Sequence, residues 1–267
     1  MGKNRIVLIF LIFLFLSMIL SPLSVRLSEL NIIGRFDTIG HNPIFFWLPM
    51  DSVAWGGKII TLGRPLLPVI FSGMIAYHDI NSSLLQDQLV REGRKKYYLK
   101  LYTTSFVFSF VIIFLALILN SIVTHLLFTN ATVTDAVAQV LPQKGTFGSY
   151  IYQVSPIFYE FFYNVLIALA FGLMTNFVSS LQLILGKKNI YIAWLFPVAL
   201  LYLIAYPFEK ISSLYPYNLF LIIQPIALAI VDVKITWRHL IVSIVFWALL
   251  NGFLFLLGYR LRRDVFR

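Results

Sequence analysis

From Ile6 to Val25 the chain runs without a charged side chain, and comparable apolar runs recur to its end. About 20 consecutive apolar residues span the hydrocarbon of a bilayer. No water is there to satisfy backbone N–H and C=O groups, so a run of this kind closes its own hydrogen bonds as a helix. That requirement dictates an all-α integral membrane protein. Composition agrees: 60% of the 267 residues are hydrophobic and 12% are charged, whereas a soluble domain carries about 25% charged residues. With a mean hydropathy of +0.86 and no sizeable soluble segment, residues 1–267 read as one transmembrane domain.

Six spans are expected, at about 6–25, 58–77, 101–128, 156–185, 190–208 and 241–257. Ser21-Pro22-Leu23-Ser24 is a poor small-x-small cleavage site, so the first run is taken as a retained span and not a signal peptide. Arg26 to Gly57 carries Phe45, Phe46, Trp47 and Trp55 and is expected to lie on the outer interface, where amphipathic rings collect. Asn218 to Val231 is broken by Pro225 and too short to cross, which suits a re-entrant or interfacial helical pair between spans five and six.

The longest hydrophilic interruption is His78 to Lys100, HDINSSLLQDQLVREGRKKYYLK. Its first half is a short amphipathic helix candidate, Glu92-Gly93 is a break, and a cluster of cations follows. On a helix Leu84, Leu85 and Gln88 share a face, with Leu89 and Glu92 one turn on. The cations Arg91, Arg94, Lys95 and Lys96 can meet acidic groups or lipid phosphates. The alternative is that the leucines rest on the membrane surface and the cations only fix topology.

Charge sets that topology. Let both termini, the central segment and the Gly186-Lys187-Lys188-Asn189 turn be inside. Thirteen of the 21 Lys and Arg then lie on the inner side: Lys3, Arg5, Arg91, Arg94, Lys95, Lys96, Lys100, Lys187, Lys188, Arg260, Arg262, Arg263 and Arg267. A seventh span at Asn218 to Val231 would carry the Arg-rich tail outside, against the positive-inside rule. The net charge of +10 follows from this distribution, and no nucleic-acid motif is present.

Within the fourth span Glu160, Asn164, Ala168, Gly172, Thr175 and Ser179 recur at three- and four-residue spacing and form one broad face. Such a face marks helix–helix packing or the wall of a substrate path, with packing the leading reading. Glu160 is the one acid inside a span, which makes it a functional-site candidate, and Arg64 near another outer end is its expected partner. His125 reads as a hydrogen-bonded bystander.

The chain has no cysteine, which removes disulfides and thiolate chemistry. It holds no H-E-x-x-H, no G-x-S-x-G and no G-x-x-x-x-G-K-[ST] phosphate loop, so nothing supports an enzyme or a self-contained ATPase.

In architecture the chain resembles a type-two ABC exporter permease. The residue-level likeness covers about 25 residues: Asp79, Asn81-Ser82-Ser83, Leu84-Leu85, Glu92-Gly93, Arg94 and Lys100 stand where that family has an inner-end acid, small polar residues, a short helix with paired leucines, a turn, an Arg and a Lys. The resemblance implies a coupling helix over about Ser83 to Arg91, with Leu84, Leu85, Gln88, Leu89, Arg91, Glu92 and Arg94 contacting a separate ATPase subunit. It implies no cofactor on this chain, ATP and Mg on that partner, a second permease subunit (identical or related), and a multi-pass place in a bacterial cytoplasmic membrane with cytosolic termini. Many members carry an amphipathic helix before the first span, and the five residues MGKNR are too few for one. An ATP-independent secondary transporter or channel is the alternative.

Overall fold

The computed structural model describes residues 3–28, 42–47, 66–77, 91–129, 142, 147–185, 190–224 and 235–261. In chain order they form helices α1 (Lys3–Ser28), α2 (Pro43–Phe46), α3 (Leu66–Ser72), α4 (Arg94–Leu127) and α5 (Ser149–Val154). Helices α6 (Pro156–Leu185), α7 (Ile190–Lys210), α8 (Leu219–Ile222) and α9 (Trp237–Leu261) follow. A π-helical turn, Gly73–Tyr77, continues α3, and a 3₁₀ turn, Tyr215–Tyr217, precedes α8. Among the described residues there is no strand.

Five helices, α1, α4, α6, α7 and α9, are long and apolar enough to cross a membrane. They correspond to the expected spans one, three, four, five and six. Of the expected second span only Leu66–Tyr77 is described, so Arg64 lies outside the described residues. The fourth span, Pro156–Leu185, has the expected limits, because its start is written locally. Ser155 accepts a hydrogen bond from the Phe158 amide at 3.3 Å and Pro156 opens the helix, an N-cap followed by the residue best suited to the first position.

Two expectations need correction. The helix that carries the third span begins at Arg94, ahead of residue 101, so the cluster Arg94 to Lys100 forms the first turns of α4 and not a loop. The reason is periodic burial: Tyr97, Tyr98 and Leu101 point inward and carry the helix through the cations, which stay at the surface on their apolar stems. The aromatics Phe46 and Trp47 are buried, not interfacial, because α2 folds inward. Asn42 caps α2 by accepting from the Ile44 amide at 3.2 Å. The stretch between spans five and six begins as a 3₁₀ turn and the single turn α8, capped by Asn218, which accepts from the Phe220 amide at 3.0 Å. Residues 225–234 lie outside the described residues.

The chain divides into two compact units. The first takes its described residues from Met1–Gly63, Ile113–Ile167 and Pro216–Leu240, the second from Arg64–Ile112, Ala168–Tyr215 and Ile241–Arg267. In the first unit Asn120 on α4 donates to the Met18 carbonyl of α1 at 2.9 Å, and Phe46 stacks on Phe128 with centroids 4.2 Å apart. Phe147 donates its amide to the Ile235 carbonyl at 2.8 Å and packs edge-on against Trp237.

The second unit is laced by polar contacts from α6. Thr175 is hydrogen-bonded to Ser109 of α4 at 2.8 Å, and Asn251 of α9 donates to the Leu173 carbonyl at 2.9 Å. Ser72 donates its one proton to Gln182 Oε1 at 2.7 Å, so Ser179, 2.9 Å from Ser72, must donate to it. Gln182 in turn donates to the Ala193 carbonyl of α7 at 3.3 Å. Gly172 lets Phe106 lie against the α6 backbone; a Cβ there would come 2.8 Å from its ring. Over Gly172, Thr175 and Ser179 the small and polar face of α6 therefore packs helices. Of its apolar window 72% is buried, against at most 28% in the other four spans.

Candidate functional site

Two places combine polar chemistry with access. In the second unit the end of the hydrophilic segment joins α4. Arg91 and Glu92 are helical, Gly93 takes a positive φ of 77°, and α4 starts at Arg94. Glycine adopts that conformation without the Cβ penalty that any L side chain would meet. The junction is then tied down twice. Lys100 donates to Glu92 at 2.8 Å, and this hydrogen bond, aided by the charges of Lys100 and Lys96, holds the Glu92 carboxyl below its ordinary value of 4.5 against a smaller opposing effect of desolvation. Arg94 donates to the Tyr259 carbonyl of α9, and its guanidinium lies over the Tyr259 ring at 4.5 Å and the Tyr98 ring at 5.8 Å. Beside the junction an open cleft is lined by Glu92 to Lys96 and Leu99. The other expected coupling residues, Leu84, Leu85, Gln88 and Leu89, lie outside the described residues.

In the first unit the carboxylate of Glu160, 3% exposed, faces His125, whose Nε2 is 3.1 Å from both carboxylate oxygens. One turn further along α6, Asn164 is fully buried. Its Oδ1 accepts from the Trp47 indole N–H at 3.2 Å and its Nδ2 donates to Ser121 Oγ at 3.1 Å. The indole can only donate, which fixes the orientation of the amide. A groove of about 420 Å³ runs between α4 and α6, lined by Ile118, Ser121, Ile122, His125 and Leu126 on one side and Ile157, Glu160, Phe161 and Asn164 on the other. Tyr152 of α5 sits close enough that burial, and then the negative charge of Glu160, push its phenol above the ordinary value of 10.0.

The scans against known families, curated proteins and solved structures each return no match. The functional reading therefore rests on these geometries and on the resemblance in the sequence.

Glu160 is thus brought to His125, the residue read as a bystander, whereas its expected partner Arg64 is not described. The signal for the actual pair was present: His125 sits two residues from the end of α4 and Glu160 four from the start of α6. Consecutive antiparallel spans place such positions at one depth. Trp47 gave no comparable signal, since only the inward fold of α2 carries it to Asn164.

Proposed function

We propose that the chain is the transmembrane subunit of an ATP-driven exporter that moves an amphipathic substrate (a peptide, lipid or hydrophobic toxin) across a bacterial cytoplasmic membrane. ATP and Mg belong to a separate ATPase subunit, and a second permease subunit completes the path. The observation that supports this is the junction at Gly93. A hydrophilic segment meant to receive force must be joined stiffly to the spans it moves. Here Glu92 is clipped to Lys100 across the break, and Arg94 is held on the Tyr259 backbone, so α4 and α9 are engaged at one point. In the second unit the π turn Gly73–Tyr77 offers a place to bend: π turns are common at functional positions, and Gly73 there admits the Trp194 ring, which a Cβ would meet at 2.8 Å.

The test purifies the chain with its associated ATPase, reconstitutes both in vesicles and follows ATP-dependent transport and hydrolysis. Leu85→Asp and Leu89→Asp are expected to leave insertion intact and abolish stimulation by ATP. Equal ATP-driven transport by variant and wild type would overturn the proposal, as would purification of the chain with no ATPase at all.

A second reading, an ATP-independent transporter or channel, draws support from the His125–Glu160 pair, since ionisable groups within spans commonly serve ion or proton pathways. Transport that collapses with an ion gradient and ignores ATP would favour it.

A further inference from the structure

The Glu160 carboxylate is buried in a span and has few donors around it. A carboxylate offers about four lone-pair positions, and a buried one left short of donors is costly. Among the described residues Glu160 has a single hydrogen-bonding partner, His125 Nε2, shared between its two oxygens at 3.1 Å. Ser121 accepts from Asn164. The groove thus has acceptor positions to spare on both sides, Ser121 on α4 and Glu160 on α6.

The groove around them is graded. His125 and Glu160 lie near the ends of their helices, whereas Ile118 is seven residues further into α4 than His125, about 10 Å deeper at 1.5 Å per residue. Its rim is strongly apolar and open: Leu126 is 74%, Ile157 68% and Ile122 52% exposed. A polar end near the helix termini, an apolar floor leading inward and an exposed apolar rim match an amphiphile lying in the bilayer.

We propose that this groove binds a membrane lipid with a primary ammonium headgroup, its N–H donors on Glu160 and Ser121 and its chain along Ile118 and Ile122. An ammonium brings three donors and no acceptor, which suits the spare acceptor positions of Glu160 and Ser121 across the groove. A trimethylated amine has the same charge and no N–H, so it cannot complete the carboxylate. The source is the bilayer because the apolar rim opens outward. The site lies within the first unit and does not depend on ATP, so it stands or falls separately from the exporter reading.

The experiment is native mass spectrometry of the full chain in neutral detergent, with phosphatidylethanolamine and phosphatidylcholine of identical acyl chains added together. The phosphate is common to both and drops out of the comparison. The ethanolamine adduct should be favoured by about tenfold, the worth of one charge-assisted hydrogen bond. That preference should fall toward parity in Glu160→Gln and in Ser121→Ala. Should Glu160→Gln fail to fold, Ile157→Trp, which fills the groove from its rim and leaves the His125–Glu160 pair in place, must abolish the preference. Glycerophosphoethanolamine, which has the headgroup and no chains, should not compete at equal concentration. Equal binding of the two lipids by the wild type, retention of the preference in folded variants, or full competition by the chainless headgroup would each overturn the proposal.

Discussion

Asn164 joins α2, α4 and α6 in the first unit, and replacing it with leucine isolates the worth of that junction. Leucine keeps the branched shape and leaves no cavity, but it removes the acceptor of a fully buried indole. A buried donor left unpaired costs about 1–3 kcal/mol. Ser121 is half-buried, so the loss of the Asn164 donor there adds less. For a chain of this size about 1–3 kcal/mol corresponds to a fall in unfolding temperature of roughly 2–12 °C. The sharper assay is a double-mutant cycle with Trp47→Phe, read as unfolding free energy in mixed micelles. Hydrogen bonds between membrane helices measure about 0.6 kcal/mol on average and up to about 1.7, and full burial puts this one toward the upper end. The double variant should therefore be more stable than the sum of the singles by about 1 kcal/mol or more. Additivity within about 0.5 kcal/mol, the behaviour of independent sites, would refute the claim that this bond ties α2 to α6.

Two glycines with nearly equal φ should respond differently to alanine. At Gly148, φ 78°, a Cβ would also come 2.8 Å from the Tyr159 ring, so the cost of the left-handed backbone, about 1–2 kcal/mol, is joined by overpacking of about 1–3 kcal/mol. At Gly93, φ 77°, nothing lies within 4 Å, so only the backbone cost of about 1–2 kcal/mol remains; unfolding of the two variants side by side checks the difference. The Glu92 carboxyl titrates below its ordinary 4.5 because Lys100 binds its charged form. The stabilisation from that pair is complete above the ordinary value and is lost only as pH falls through the lowered one. Carboxyl-carbon NMR should show the Glu92 midpoint rising in Lys100→Met; an unchanged midpoint would remove the pair from the account of the junction.

Local rules made much of the fold legible. Apolar runs located the five long helices, since length and hydropathy alone decide whether a segment can satisfy its backbone in hydrocarbon. Ser155-Pro156 and Asn218 wrote helix starts that the structure keeps. The recurrence of Asn164, Gly172, Thr175 and Ser179 named the packing face of α6, because small and polar side chains let helices approach and bond across the gap. The start of α4 lies ahead of the expected span because Tyr97 and Tyr98 carry the helix inside past the cations.

Partners were another matter. Which acceptor Trp47 finds, which group completes Ser72, and that Arg94 rests on the Tyr259 carbonyl are decided between segments about 100 residues or more apart, where no periodicity reaches. The sequence by itself determined that this chain is helical and membrane-spanning, because the bilayer admits few alternatives to a run without charge. Only the tertiary structure decided that Glu160 faces His125 over an open groove, because a pairing between two spans depends on how far each helix is turned about its own axis.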